Sequence, residues 1–378
     1  MELTKCKLGE LITQRREKND GSDLPICGVS KDGLIPPKQK DADTSIYNVF
    51  YRDDFIFNPA RMELNSIAIN DMYDRAICSS LYEVFYVHRT DLLLPHYLEL
   101  IIRQKWFTRY CEFLGQGSAR EYCRFGNISE IEIEFPPIEE QQKIVEYNTA
   151  IENRIALKQK INDNLEATAL SIYKCFFVDY IPFGGSQPSS WKEVTVDDIA
   201  SDVICGKTPP TADPQNYGGT IPFITIPDMH GSVYTTSTAR FLSEKGASTQ
   251  PGKMLPANSV CVSCIASVGL VCLTAEPSQT NQQINSIICK EQISPFYVYT
   301  KMTTLNEYLK QLGAGGSTTL NINKTLFGQI PILLPDEASM KEYHNKVEPL
   351  FSSIRENQYE IQHLESLKHL LLSQLSSR

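Results

Sequence analysis

No stretch of this 378-residue chain is apolar over the roughly 18 residues that a membrane-spanning helix requires. The opening run, MELTKCKLGELITQRREKND, has no apolar core before a small-residue cleavage site, so it does not read as a secretory signal. Nor is there a disulfide framework. The chain has 11 cysteines, an odd number, scattered along it, which suits free thiols in a reducing compartment. A soluble, cytoplasmic protein is the expectation. Positive charge is also scarce: 36 Lys and Arg face 45 Asp and Glu, for a net charge of −9. A free-standing nucleic-acid binder usually shows a basic footprint. Any such surface here must be local, or a partner must supply the missing charge.

Catalytic signatures are equally thin. Asn58-Pro59-Ala60-Arg61 is similar to the Asn-Pro-Pro-Tyr/Phe loop of amino-methyltransferases. It lacks the second proline and the aromatic that would stack on a flipped base. No Gly-rich strand–turn–helix cofactor loop accompanies it. CGKTPP (205–210) contains Gly-Lys-Thr, but Ser201 stands where a phosphate-binding loop needs Gly, and Pro209 and Pro210 forbid the helix that should follow. Cys261 and Cys264 form one CxxC inside an alternating, strand-like run. Structural zinc takes four ligands, so a buried, inert thiol pair is the reading. His88 and His96 lack ligand spacing, and His344, His363 and His369 lie on a helix accounted for by packing. The expectation is a non-catalytic chain with no metal and no cofactor of its own.

What the chain does have is a long helix, twice. The run PPIEEQQKIVEYNTAIENRIALKQKINDNLEATA (136–169) continues without Gly or Pro to Pro182. Pro137 suits a first turn, and Glu139 and Glu140 complement the helix dipole. Steps of four and three from Ile144 visit Asn148, Ile151, Ile155, Lys158, Asn162, Leu165, Ala169, Ile172 and Phe176, a mostly apolar, coiled-coil-like seam. An offset of 199 residues gives a second such seam: Tyr343, Val347, Leu350, Ile354, Asn357, Ile361, Leu364, Lys368, Leu371 and Leu375. The same offset matches Pro136 to Pro335, Ile131 and Ile133 to Ile330 and Ile332, and Gly117-Ser118 to Gly316-Ser317. Such a repeat sets the architecture. Lys158 and Asn357 are polar counterparts near the seam midpoints, and a polar layer there would fix register at some cost in stability.

Before each helix lie short β-like runs broken by turns, such as FIFNP, SIAIN, YEVFYVH, IPFITIP and SVCVSCIASVGLVCLT, with helical pieces near 91–114 and 296–312. The predicted fold is mixed α/β (α+β). Two mixed heads, related by a pseudo-twofold, are separated by two long antiparallel helices that form a coiled-coil-like spacer. The segments are a first head at 1–135, a spacer helix at 136–180, a linker at 181–190, a second head at 191–335 and a second spacer helix at 336–378. A helix of about 40 residues would be about 60 Å long.

The remaining signals concern binding. IIRQKWFTRYCEFLGQGSAREYCRF (101–125) interleaves Arg103, Lys105, Arg109, Arg120 and Arg124 with Trp106, Phe107 and Tyr110, while Gly117 and Ser118 permit close backbone approach. The corresponding loop GAGGSTTLNINK (313–324) offers Ser317, Thr318 and Lys324, and Lys207 and Thr208 open a second turn-rich loop. These are the candidate DNA contacts. A solvated helix face with core aromatics and plain turn chemistry is the blander account of the same residues. Composition and pattern alone reach only a two-headed binding protein with a helical spacer, which a scaffold that grips proteins rather than DNA would equally satisfy.

PPIEEQQKIV…AIENRIALKQKINDNLEATALSIYKCFFVDY resembles the central helix region of the specificity subunits of type I restriction–modification systems. GKTPPTADPQNYGGTIPFIT, TNQQINSII and GSTTLNINK…FGQIPILLP resemble the second target-recognition domain of that family. GVSKDG, FIFNPARMELNSIAI and GQGSAREYCRF resemble one class of its first domain, with Asn65 where Gly is frequent. The resemblance spans nearly the whole chain. It implies that each target-recognition domain reads one half of a split sequence in double-stranded DNA, and that the helices set the gap and dock two modification subunits. Those partners would bind S-adenosylmethionine and methylate adenine. Restriction subunits would add ATP- and magnesium-dependent translocation and cleavage. On this basis Ile144, Ile151, Ile155, Lys158, Leu165, Ile172, Leu350, Ile354, Asn357, Ile361, Leu364 and Leu371 are the predicted spacer contacts.

Overall fold

The computed structural model describes residues 3–37, 43–115, 122–314 and 320–376. Among them no helix is long and apolar enough to cross a membrane. The chain divides into two compact units, residues 1–153 with 366–378, and residues 154–365. The division falls inside both long helices.

In the first unit, strand Thr4–Lys7 pairs antiparallel with Glu132–Phe135, from Thr4 opposite Phe135 to Lys7 opposite Glu132. This ribbon ties the start of the unit to the strand that leads into the first long helix. One four-stranded sheet has the order Ile12–Arg15, Glu83–Val87, Phe55–Phe57, Ile67–Ile69. A second has the order Gly33–Ile35, Ile26–Ser30, Arg75–Cys78, Asn48–Tyr51. Strands such as Phe55–Phe57 are buried on both faces, which is why they read as continuous apolar runs. Phe55 stacks on Phe85 at 4.9 Å in the core. Helices Pro95–Ile102 and Lys105–Gly115 supply Leu98, Ile101, Phe107 and Cys111 to the same core.

The second unit repeats this plan. Lys192–Thr195 pairs antiparallel with Pro331–Leu334, from Lys192 opposite Leu334 to Thr195 opposite Pro331. The main sheet has the order Ala200–Cys205, Ile284–Cys289, Val260–Ser263, Val271–Thr274, Tyr234–Thr235. The smaller one has the order Phe241–Leu242, Tyr217–Ile224, Gln279–Thr280. A parallel pairing sits at the equivalent place in each unit, Ile26–Ser30 with Arg75–Cys78 and Tyr217–Ile224 with Gln279–Thr280, and the second unit has a further one, Tyr234–Thr235 with Val271–Thr274. Three consecutive elements recur in register. Phe125–Ser129, Glu132–Phe135 and Ile138–Phe177 correspond to Lys324–Gly328, Pro331–Leu334 and Glu337–Ser376, each displaced by 199 residues.

The first long helix begins at Ile138, with Pro137 just ahead of it accepting a backbone hydrogen bond from Glu140. It ends where Asp179 N–H returns to Lys174 O and Tyr180 turns left-handed at φ 52°. The second helix starts beneath Asp336, whose carboxylate accepts from Ser339 N–H at 2.9 Å and from the Trp191 indole at 3.0 Å. It continues through Pro349, which removes a backbone donor; buried Val347, Phe351 and Ile354 anchor the turns around it.

The seam positions from Ile144 to Phe176 and from Tyr343 to Leu371 are buried or half-buried. In the second unit Leu165, Ile172 and Leu350 flank a core built from Ala169, Tyr173, Phe176, Phe177, Tyr343, Val347, Phe351 and Ile354. The rings of Tyr173, Phe176 and Phe177 meet Tyr343, whereas Lys158 meets Asn357, so the two helices run antiparallel there. Ile155, Ile361 and Leu364 are half-buried. In the first unit Ile144 packs on the core, Ile151 and Leu371 are half-buried, and Lys368 pairs with Glu152 at 2.6 Å.

Candidate nucleic-acid interface

The first unit carries an open cleft of about 1450 Å³. The hairpin Ile26–Ser30/Gly33–Ile35 and the turn Ser79–Tyr82 line it, with Thr108 from helix Lys105–Gly115 and Tyr122 and Arg124 from the segment just ahead of helix Phe125–Ser129. Its floor is the 3-10 turn Pro59–Leu64. That turn is held from several sides. Asn58 Oδ1 accepts from Ala60 N–H at 3.1 Å, Cys123 N–H donates to Pro59 O at 3.0 Å, and Met62 is buried. Asn65 closes it in the left-handed region, φ 52° and ψ 42°, with its Nδ2 donating to Ile102 O at 3.1 Å. Asparagine tolerates this conformation better than most residues, which explains its presence where the resembling family often has Gly.

The predicted DNA contacts separate by environment. Lys105 and Arg109 are exposed along helix Lys105–Gly115 with no hydrogen-bond or ion-pair partner among the described residues. Tyr110 and Phe113 are exposed on the same helix. Phe107 and Trp106 instead face inward, buried and half-buried. Arg103 is turned to internal partners: its guanidinium donates to Lys31 O at 2.8 Å and to Glu99 at 3.4 Å. Arg124 lies at the cleft edge, 3.5 Å from Glu83 and over the Tyr122 ring at 5.6 Å. Gly117, Ser118 and Arg120 lie outside the described residues, as do Ser317 and Thr318.

In the second unit Lys207 is exposed, and Thr208 donates to Gln282 at 2.7 Å. Gly206 shows why this loop has its sequence: a Cβ there would stand 2.2 Å from Asn281 O and 2.3 Å from Thr280 Oγ1. The GKTPP loop thus packs directly on the TNQQ segment, so two motifs far apart in sequence form one surface. Lys324 opens helix Lys324–Gly328 and is exposed, with Asp202 at 3.9 Å. A shallow pocket beside Tyr217, Gly218 and Gly219 includes the exposed Arg240.

No group of three or more His, Cys, Asp or Glu placed to hold a metal exists among the described residues. Cys261 and Cys264 lie on or beside the buried strand Val260–Ser263, and burial pushes the Cys264 thiol up to about 12, keeping it protonated. Sequence reading missed Arg61, Leu64 and Leu81, which line the cleft and are exposed. The signal for Arg61 was present in FIFNPARMELNSIAI, whose resemblance to a first recognition domain marks the segment without singling out this side chain.

Comparison with known proteins agrees with this geometry. The model of the type I restriction modification DNA specificity domain matches twice, at residues 6–167 and 188–366. The chain is 31% identical to the type I restriction enzyme HindI specificity subunit of Haemophilus influenzae, across 75% of this chain and 77% of that protein. It is 24% identical to the type I restriction enzyme MjaIX specificity subunit of Methanocaldococcus jannaschii, across 75% of this chain and 69% of that one. The crystal structure of a type I restriction–modification S subunit from M. genitalium shares the fold, with a TM-score of 0.65 at 14% identity, covering 99% of this chain and 96% of that one. With two matched specificity domains and a 31% identical relative, the chain belongs to the family of type I restriction–modification specificity subunits, the recognition rather than the catalytic components of those systems.

Proposed function

We propose that this chain reads a bipartite DNA target, one half-site per target-recognition domain, and that its paired helices set the distance between the halves. The observation that carries this reading is the duplication of the reading unit together with its helix. The units share the order of four strands in one sheet and three in the other, the second unit adding Tyr234–Thr235 and the first Asn48–Tyr51, and the seam brings Lys158 against Asn357, its own counterpart 199 residues on. A doubled reader on a doubled rod matches a target in two parts.

In this reading the helices also dock two modification subunits, which bind S-adenosylmethionine and methylate adenine. Restriction subunits supply ATP- and magnesium-dependent translocation and cleavage. This chain holds no cofactor itself. Lys105, Arg109, Lys207 and Lys324 contact phosphates and fix the register of each head on the duplex. The acidic balance of the chain is offset by the positive surface that the modification subunits contribute around the DNA.

Methylome sequencing of a host that carries this chain with its cognate modification subunit tests the reading. A motif in two parts, separated by a fixed unread gap and methylated on adenine in both, is the expected result. A continuous motif, or no sequence-dependent methylation, would leave the chain a two-headed protein scaffold.

A further inference from the structure

Most arginines of the first unit are committed to the fold. Arg15 pairs with Asp54, Arg52 with Asp74, Arg75 with Asp20, Arg89 with Asp91 and Arg124 with Glu83, while Arg103 donates to Lys31 O. Arg61 is different. It lines the cleft, is exposed, and its guanidinium has no hydrogen bond or ion pair among the described residues.

Its mounting is rigid although its tip is free. Arg61 N–H donates to Asn58 O at 3.0 Å, and Arg61 O accepts from Ser66 N–H at 3.3 Å and from Asn65 N–H. The backbone leaves helical geometry at this one residue, φ −141° and ψ 29°, between buried Pro59 and buried Met62. The backbone fixes where this side chain starts, and no internal partner among the described residues competes with an external acceptor for its guanidinium.

The walls indicate which acceptor. Asp32, Glu63 and Glu83 line the cleft together with Lys31 and Arg124, the hydroxyls of Ser79, Ser80 and Thr108 and the exposed Leu64 and Leu81. A track that binds only phosphates would be uniformly basic. Base edges present both donors and acceptors, together with apolar methyl groups, and suit such mixed walls. An arginine fork matches the O6 and N7 acceptors of guanine. We propose that Arg61 reads a guanine edge in the half-site bound by the first unit. The proposal rests on the bipartite-target reading above and adds a named base-reading residue to it.

The test compares methylomes of hosts carrying the full chain as wild type, Arg61→Ala, Arg61→Lys and Lys105→Ala, each with the cognate modification subunit. Arg61→Ala relaxes one guanine position in one half of the motif, with roughly 5- to 150-fold loss of discrimination there, and leaves the other half unchanged. Arg61→Lys keeps the charge but not the fork, and relaxes the same position; it also serves if the alanine variant fails to fold. Lys105→Ala weakens methylation evenly and changes no motif position. A split wild-type motif without guanine in either half overturns the proposal, as does an unchanged motif in both Arg61 variants. Even weakening across sequences in Arg61→Ala, with a shallower salt dependence of DNA binding by the complex, would make Arg61 a phosphate contact and also overturn it. A wild-type chain giving no split motif is a failure of the bipartite reading itself and removes both.

Discussion

Lys158 Nζ donates to Asn357 Oδ1 at 2.8 Å, and these two residues are counterparts in the 199-residue repeat. Along an antiparallel pair of equivalent helices, only midpoint residues meet their own equivalents. The contact therefore marks the centre of the duplicated seam. Asn357 Nδ2 donates in turn to Asn162 at 2.8 Å, and Lys158 reaches Glu360 at 2.9 Å. Lys158 and then Arg154 hold the Glu360 carboxyl below its usual range.

A polar layer among apolar neighbours is expected to fix register at some cost in stability. Replacing Lys158 and Asn357 together with leucine should raise stability by about 1–2 kcal/mol, because well-packed apolar groups often outdo partly buried polar ones. The variant should also tolerate shifted helix pairings, seen as heterogeneous disulfide trapping between cysteines engineered along the seam. Asn357→Ala alone should lower stability by about 1–2 kcal/mol, since it strips partners from Asn162 and Lys158. Thermal unfolding decides both; a lower melting temperature in the double leucine variant contradicts the assignment.

Asp336 makes a pH-dependent contribution. Its carboxyl lies below its usual range, first because Ser339 N–H donates to it, with the Ser339, Trp191 and Ser190 side chains adding to the effect. A carboxylate stabilised in the folded state adds stability above its unfolded value near 3.8, and that stability is lost as pH falls through the lower folded value. Asp336→Ala should cost about 1 kcal/mol at pH 7, the usual worth of a helix cap. The gap to wild type in melting temperature should narrow below pH 3.8. An equal gap at both ends of that range would show that the charge is not the cause.

Gly206 is required for steric reasons rather than for backbone freedom. Gly206→Ala should destabilise the second unit by about 1–3 kcal/mol, the usual cost of overpacking, because both nearest atoms belong to the tightly bonded Thr280–Asn281 segment. Melting of the variant checks the magnitude. Methylomes should show errors confined to one half of the target.

The helices and their repeat were legible in the sequence because their signal is local and periodic. Alternate steps of four and three placed Ile151, Leu165 and Ile354 on the seam, and the offset of 199 placed Lys158 against Asn357. The sheets were legible only as strands. Pairings such as Thr4 with Phe135 or Lys192 with Leu334 join residues more than a hundred positions apart, and no local pattern encodes that register. The site was half legible for the same reason. Composition marks Arg103, Lys105 and Arg109 alike, and only the fold turns Arg103 toward Lys31 O while leaving Lys105 and Arg109 in solvent. Nor can a sequence show that the Arg61 guanidinium, unlike that of Arg103, has no hydrogen bond or ion pair among the described residues.

The most direct test of the account lengthens the rods. One heptad inserted into each long helix at matching positions adds roughly 10 Å of rise, or about three base pairs at 3.4 Å each. Methylome sequencing with the cognate modification subunit should return the same two half-sites separated by a gap about three pairs longer. An unchanged gap from the lengthened chain would show that the helices do not measure the distance between the two readers.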